Sequence, residues 1–265
     1  MNENLHESYL EIASINNDGK LRLRCRIENT PESIDAFVKS LDSSAKVAME
    51  SCSYFYPLYD RLEEAGIAVK VAHPLKVKLI AESKIKSDKI DSLVLAQLYR
   101  MDYLPTSYVP PKEVRQARDL LRHRIALVRQ RTQVKNRIHH LLEKNGVKTS
   151  RLGFSDIFGK SGLAHLRSLE LPAVEKSILA MDLDLLEYLN RTLDRSDGEL
   201  ARMATENPQA KLLMTIQGAD YYTALLLLMA IGDIKRFSNL RKLCCYAGLL
   251  PGLRQSGEKT NHGHI

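Results

Sequence analysis

The alternation of apolar and polar residues predicts most elements of the first third of the chain. Residues 8–16 (SYLEIASIN) and 20–28 (KLRLRCRIE) switch character at nearly every position, as a strand does when one face is packed and the other is not. Asn17-Asp18-Gly19 joins them, and such a turn predicts a β-hairpin. Thr30-Pro31-Glu32-Ser33 opens a helix running to about Leu41, with proline in the first turn, where its missing N–H costs nothing. Ala45 to Met49 (AKVAM) reads as a short buried strand ending at Glu50. Tyr54 to Ala65 reads as a helix stopped by Gly66, and Ile67 to Ala72 as another strand. His73-Pro74 closes that strand. A polar patch with Lys76, Lys78, Lys84 and Lys86 follows, then a helix from about Asp88 to Arg100. Strands interleaved with helices in this order predict an α/β layer with a mixed sheet.

From Pro110-Pro111 to Asn145-Gly146 no Gly or Pro interrupts the chain, which predicts one helix roughly 50 Å long. Leu120, Leu127, Val134 and Leu141 recur every seven residues, while Val114, Leu121, Val128 and Leu142 mark a neighbouring seam broken by Lys135. The pattern fits a coiled coil or a long helical hairpin. Residues 150–210 contain helical runs rich in acids, and Leu212 to Leu250 is apolar and helical, punctuated by Gln217-Gly218, Gly232 and Gly248. The expected organisation is an α/β domain over 1–105, a basic helical arm over 106–148 and an all-α domain over 149–265.

Charge sharpens this picture. The chain of 265 residues has 39 Lys+Arg against 32 Asp+Glu, a net +7. Between Lys112 and Lys144 stand ten Lys/Arg and only three acids, so the whole excess belongs to the long helix. A stripe of that kind meets a phosphate backbone, and it makes nucleic acid the leading partner class. Arg115, Arg118, Arg122, Arg129, Arg131, Lys135 and Arg137 are the candidate contacts, although a solvated helix with a basic outer face has the same composition. Four cysteines in a chain this long form no disulfide framework, and the adjacent Cys244 and Cys245 suit a reducing cytoplasm. The longest apolar run, Ala224 to Ile231, is far short of the ~20 residues of a membrane span. The first residues carry no signal-peptide pattern.

Three acids are candidates for chemistry. Glu50 ends a buried strand, where side chains of an α/β sheet emerge into a ligand crevice. Asp88 and Asp91 open a helix three residues apart and share one face. Converging carboxylates suit a hard divalent cation such as Mg²⁺. Spacing alone favours a plainer account of the same residues, with Asp88 as a helix N-terminal charge and Glu50 as a strand-end surface acid.

The runs Ala48-Met49-Glu50-Ser51-Cys52-Ser53-Tyr54, Ala72-His73-Pro74-Leu75-Lys76-Val77-Lys78 and Lys86-Ser87-Asp88-Lys89-Ile90-Asp91-Ser92 resemble the DEDD transposases of the insertion-sequence 110 family. This family includes relatives of Piv-type invertases and bridge-RNA-guided recombinases. The likeness continues through the basic helix and into Thr215-Ile216-Gln217-Gly218, Ile231-Gly232-Asp233-Ile234, Tyr246-Ala247-Gly248-Leu249 and Gln255-Ser256-Gly257-Glu258. The resemblance implies a RuvC-like (RNase H-type) first domain with Glu50, Asp88 and Asp91 as the second, third and fourth metal-binding acids. It implies a second domain in which Ser256 is the nucleophile on a DNA phosphodiester; by residue type alone, Ser256 is a polar turn residue. It also implies a guide RNA and a homodimer or tetramer assembled through the helical arm.

Two departures from the family pattern follow. Aligned on His6, Asn4 falls where the first Asp belongs, and an amide supplies a neutral oxygen instead of a charge. Gln217-Gly218-Ala219-Asp220 replaces a Pro-Gly-x-Gly turn, placing a carboxylate where backbone N–H groups would meet phosphate. Against the family the chain reads as shortened at both ends. The alternative is therefore a catalytically inactive nucleic-acid-binding remnant.

Overall fold

The computed structural model describes the backbone of residues 2–5, 8–80, 88–256 and 259–263, and the side chains of 8–80, 90–252 and Gly263. The chain forms two compact units, Met1–Val109 and Pro110–Ile265.

The first unit is built on β1 (Asn2–Leu5), β2 (Tyr9–Ile15), β3 (Leu21–Glu28), β4 (Lys46–Glu50) and β5 (Ala68–Ala72). They form one sheet in the order β3-β2-β1-β4-β5. The first three strands are antiparallel neighbours, and β1, β4 and β5 run parallel. The hairpin turn forms as its sequence demands, with Gly19 at φ +81°, a conformation that side chains with a Cβ resist. Helices α1 (Pro31–Ser40) and α2 (Phe55–Glu64) cover one face. The α1 N-terminus is capped by Thr30, whose hydroxyl accepts from the Ser33 N–H.

Strand alternation sorts the core. Leu10, Ile12, Val47, Met49 and Val71 pack with Ile34, Phe37, Val38, Leu58 and Leu62 on the α1/α2 face. On the other face, Ala48 and Ala72 pack with Leu95 and Leu98 of α4 (Asp88–Arg100). The Lys-rich stretch after β5 is in part a short helix, α3 (Pro74–Ile80), where the sequence predicted only a polar patch. Leu75 and Leu79 stay exposed on α3, so no buried apolar stripe announced it.

The second unit begins with α5 (Lys112–Lys144), which falls within the bounds set by Pro110-Pro111 and Asn145-Gly146. It continues through α6 (Lys160–Ser168), α7 (Ala173–Glu206), α8 (Pro208–Leu213), α9 (Tyr221–Ile231) and α10 (Leu240–Tyr246). Helices α5 and α7 are antiparallel partners: Lys144 meets Glu175, Arg137 meets Asp182, and Arg124 meets Asp197. Leu127, Val134, Ile138, Leu141 and Leu142 of α5 close against Leu179, Leu183, Leu186, Leu189 and Leu193 of α7. Each buried leucine contributes about 1.5–3 kcal/mol. The heptad stripe of α5 is thus used inside its own unit. Among the described residues no helix is long and apolar enough to cross a membrane.

The all-helical expectation for 149–265 is corrected at its end. Strands β6 (Leu253–Ser256) and β7 (Lys259–His262) form an antiparallel hairpin. The sequence signal was present: a Gly-Glu pair stands between two short runs, and Ser256 pairs with Lys259 on either side of it. Residues 257 and 258 themselves lie outside the described set.

Gly162 in α6 leaves no room for a side chain, because a Cβ there would overlap the Ile157 carbonyl oxygen and backbone. Gly162→Ala should lower unfolding stability by about 1–3 kcal/mol, as overpacking does. Urea denaturation followed by circular dichroism measures it, and an unchanged midpoint refutes the packing.

Candidate active site and nucleic-acid interface

Glu50 is the last residue of β4. Val47 and Met49 point to the α1/α2 core and Ala48 to α4, so alternation puts Glu50 on the α4 face at the strand's C-terminal end. Helix α4 is anchored by its far end. Gln97 Nε2 donates to the Gly19 carbonyl (2.7 Å) and Arg100 Nη1 to that of Asn17 (3.4 Å), both in the β2–β3 turn. That turn lies at the N-terminal edge of β4, because β2 opposes β1 and β1 parallels β4. The first turn of α4 therefore returns to the edge that Glu50 occupies. Asp91 there is half-buried, next to the fully buried Ser92.

Strand register brings the position of the degenerate acid to the same place. Glu3 pairs with Met49, so Asn4 is level with Glu50, one strand away. Asn4, Glu50, Asp88 and Asp91 thus share one sheet edge by backbone position; the side chains of Asn4 and Asp88 lie outside the described residues. Carboxylate oxygens suit a hard cation. Among the described residues, however, no three His, Cys, Asp or Glu side chains gather as a metal site. A cleft of about 480 Å³ opens at the opposite edge instead, lined by residues that include Arg22, Lys46 and Arg100. Beside Glu50, burial raises the Cys52 thiol above its ordinary range, and the glutamate charge adds to the effect, so Cys52 is held protonated.

Sequence reasoning missed one acid. Glu11 is 2% exposed, faces α4's side of the sheet, and stands between Asn4 and Arg26 in register. Its carboxylate accepts from Arg26 Nε at 3.0 Å, and the Arg26 guanidinium lies over the Tyr9 ring. An acid between Leu10 and Ile12, with an arginine at the cross-strand position, was the available signal.

Helix α5 divides its cations between two tasks. Arg118 donates to the Met229 and Ala230 carbonyls, capping the C-terminal end of α9. Arg124 bonds Asp197 at 2.5 Å and lies over the Tyr222 ring; the hydrogen bond to Asp197 pushes its pKa up further. Arg137 bonds Asp182, and Lys135 lies over Phe158. Arg122 and Arg129 project into solvent, while Arg131 and Arg115 are half-buried.

Ser256 belongs to the second unit, as the last residue of β6; its side chain lies outside the described residues. Asp220 caps α9, its carboxylate accepting from the Thr223 N–H. That bond holds its pKa below the usual carboxylate range. The N-terminus of α9 therefore already carries an anion of its own.

Comparison with known proteins gives a consistent answer. Residues 5–145 match the model of IS110-type DEDD transposases, described as transposase. Residues 210–265 match the model described as transposase, IS116/IS110/IS902 family. The chain is 29% identical to the transposase for insertion sequence element IS1111A of Coxiella burnetii, over 80% of this chain and 58% of that protein. It is 28% identical to the transposase for IS1328 of Yersinia enterocolitica, over 81% of this chain and 63% of that protein. It is 26% identical to the transposase for IS1533 of Leptospira borgpetersenii, over 89% and 70%. The chain therefore spans about six-tenths of the length of the first two relatives.

Removing Arg26 strands the buried Glu11 carboxylate. Arg26→Met should cost about 1–3 kcal/mol of stability, and adding Glu11→Gln should recover most of it. A double-mutant cycle by thermal denaturation reads the coupling; additive losses refute the pairing.

Proposed function

This chain belongs to the IS110 family of transposases, and on that footing we propose that it cuts and rejoins DNA through a serine nucleophile assisted by a carboxylate cluster. The observation that carries the reading is the shared sheet edge of Glu50 and the first turn of α4, which holds Asp88 and Asp91. The strand order β3-β2-β1-β4-β5, with β1 central, supports a RuvC-like (RNase H-type) identity for residues 1–105. Residues 106–148 then serve as the nucleic-acid arm and 149–265 as the serine domain.

In this reading Glu50, Asp88 and Asp91 hold Mg²⁺, and Asn4 offers only a neutral amide oxygen. The cation, when bound, neutralises charge on the scissile phosphate. Ser256 Oγ gives up its proton and bonds to phosphorus as a P–O bond to the sugar breaks, and the departing sugar oxygen takes up a proton. The phosphoserine link keeps the phosphodiester energy for rejoining. Exposed Arg122 and Arg129, with Arg131, meet the nucleic-acid backbone; Arg115, Arg118, Lys135 and Arg137 flank them, Arg118 and Arg137 also bonding groups of their own unit. The partners are DNA element ends and target, a guide RNA and further copies of the chain, and the setting is the cytoplasm.

Asn4 favours one second reading, an inactive remnant that still binds nucleic acid. Incubation with cognate element ends, Mg²⁺ and element-derived RNA should give a denaturant-resistant protein–DNA adduct. Ser256→Ala should abolish it, and Glu50→Gln or Asp91→Asn should reduce it about 100-fold while binding persists. Salt-sensitive binding without an adduct supports the remnant, and cleavage without an adduct refutes the serine. Replacing Arg122, Arg129 and Arg131 by Gln should reduce the slope of log K against log salt by nearly 3, about 0.9 per lost phosphate contact.

A further inference from the structure

Helix α3 presents apolar side chains to solvent at the sheet edge that carries Glu50. Ala72, the last residue of β5, pairs with Glu50, and α3 begins two residues later at Pro74. One side of α3 is fixed by Val77, which packs on the cluster of Ala48, Ala72, Leu95 and Leu98. At about 100° per residue, Leu75 and Leu79 stand about 160° from Val77, one turn apart on the outward crest. They are 71 and 86% exposed, and Ile80 at the end of the helix is exposed too. Lys76 and Lys78 stand about 100° from Val77, one on each flank of the crest, and both are exposed. The helix holds no acid to offset them. A single exposed leucine needs no explanation, but a pair set opposite the buried side and between two cations does.

We propose that this crest is a wedge that enters the minor groove of duplex DNA and unstacks a base step, with Lys76 and Lys78 resting on the phosphates of the two strands. A helix with its side chains is about 10–12 Å across and the minor groove about 6 Å wide, so the body of α3 stays outside while the leucines go in. Cations on both flanks suit the two phosphate strands that border a groove. The residue type separates this occupant from others. Aliphatic side chains pry base steps apart, whereas single strands are held on aromatic rings, and α3 has none. A helix of seven residues also buries too little apolar area to hold a lipid surface. Partial unstacking kinks the duplex toward its major groove and widens the minor groove. The wedge thereby bares the backbone beside the edge where Glu50 ends β4. That use of the wedge rests on the DNA-cutting function proposed above, whereas the unstacking itself does not.

The probe is a short duplex rich in easily unstacked TA steps, with 2-aminopurine in place of adenine, held without Mg²⁺ or RNA so that neither cutting nor strand exchange intervenes. Binding of the 265-residue chain should raise the 2-aminopurine fluorescence about twofold or more. Leu75→Ala with Leu79→Ala should abolish the rise while affinity stays within about threefold of the parent chain. Its melting temperature and helical circular dichroism should be unchanged, because both side chains are exposed. Leu75→Met with Leu79→Met should keep the rise, since methionine also serves as a wedge. Lys76→Gln with Lys78→Gln should reduce the slope of log K against log salt by nearly 2, about 0.9 per lost phosphate contact. In the adduct assay the double-alanine variant should be about 10-fold slower on intact element ends, and should recover on ends already mismatched at the cut step. A chain that does not bind the duplex, binding with unchanged fluorescence, or a rise that survives the alanine variant overturns the wedge. So does an alanine variant whose only defect is lost self-association in sedimentation velocity, which assigns the crest to a protein contact. Unstacking without an adduct leaves the wedge standing and sinks the serine, and an adduct without unstacking does the reverse.

Discussion

The side chains of β4 alternate between two packed faces, and the first unit's chemistry depends on that alternation. Val47 and Met49 are fully buried against α1 and α2, and Ala48 is fully buried under α4. A slip of one residue would put Met49 under the helix that Ala48 now accommodates and turn Glu50 away from α4. The small alanines at 48 and 72 let α4 lie close to the sheet, while Gln97 and Arg100 fix its direction through the β2–β3 turn. Register and helix polarity together bring Asp91 and Glu50 to one edge.

The second unit rests on a comparable constraint in helical form. Two long helices of opposite charge bias share an apolar seam, and cations of α5 meet acids of α7 along its length. This explains why residues 150–210 are acidic where α5 is basic. The charge that a nucleic acid can meet is smaller than the sequence count, since Arg118, Arg124 and Arg137 hold carbonyls or carboxylates of their own unit. The solvent-facing remainder gives α5 its outer character.

Much of this was legible in the chain. The bounds of α5, the Asn-Asp-Gly hairpin, the Thr30 cap and the strand ending at Glu50 all follow from local patterns, and local patterns suffice where backbone geometry demands particular residues. Helix α3 escaped because it buries no apolar stripe, and the β6–β7 hairpin because each of its strands is only four residues long. Glu11 escaped because a carboxylate in a core strand reads as exposed until the arginine two strands' length away is brought beside it.

By itself, the sequence determined which segments are helix or strand, where the positive charge concentrates, and which family the chain resembles. Those are properties of residues near one another along the chain. Only the tertiary structure decided that Asn4 and Glu50 stand level, that α4 runs back toward Glu50, and which α5 cations are occupied. Each of these depends on contacts between residues tens of positions apart, set by strand register and helix packing, to which no local pattern is sensitive.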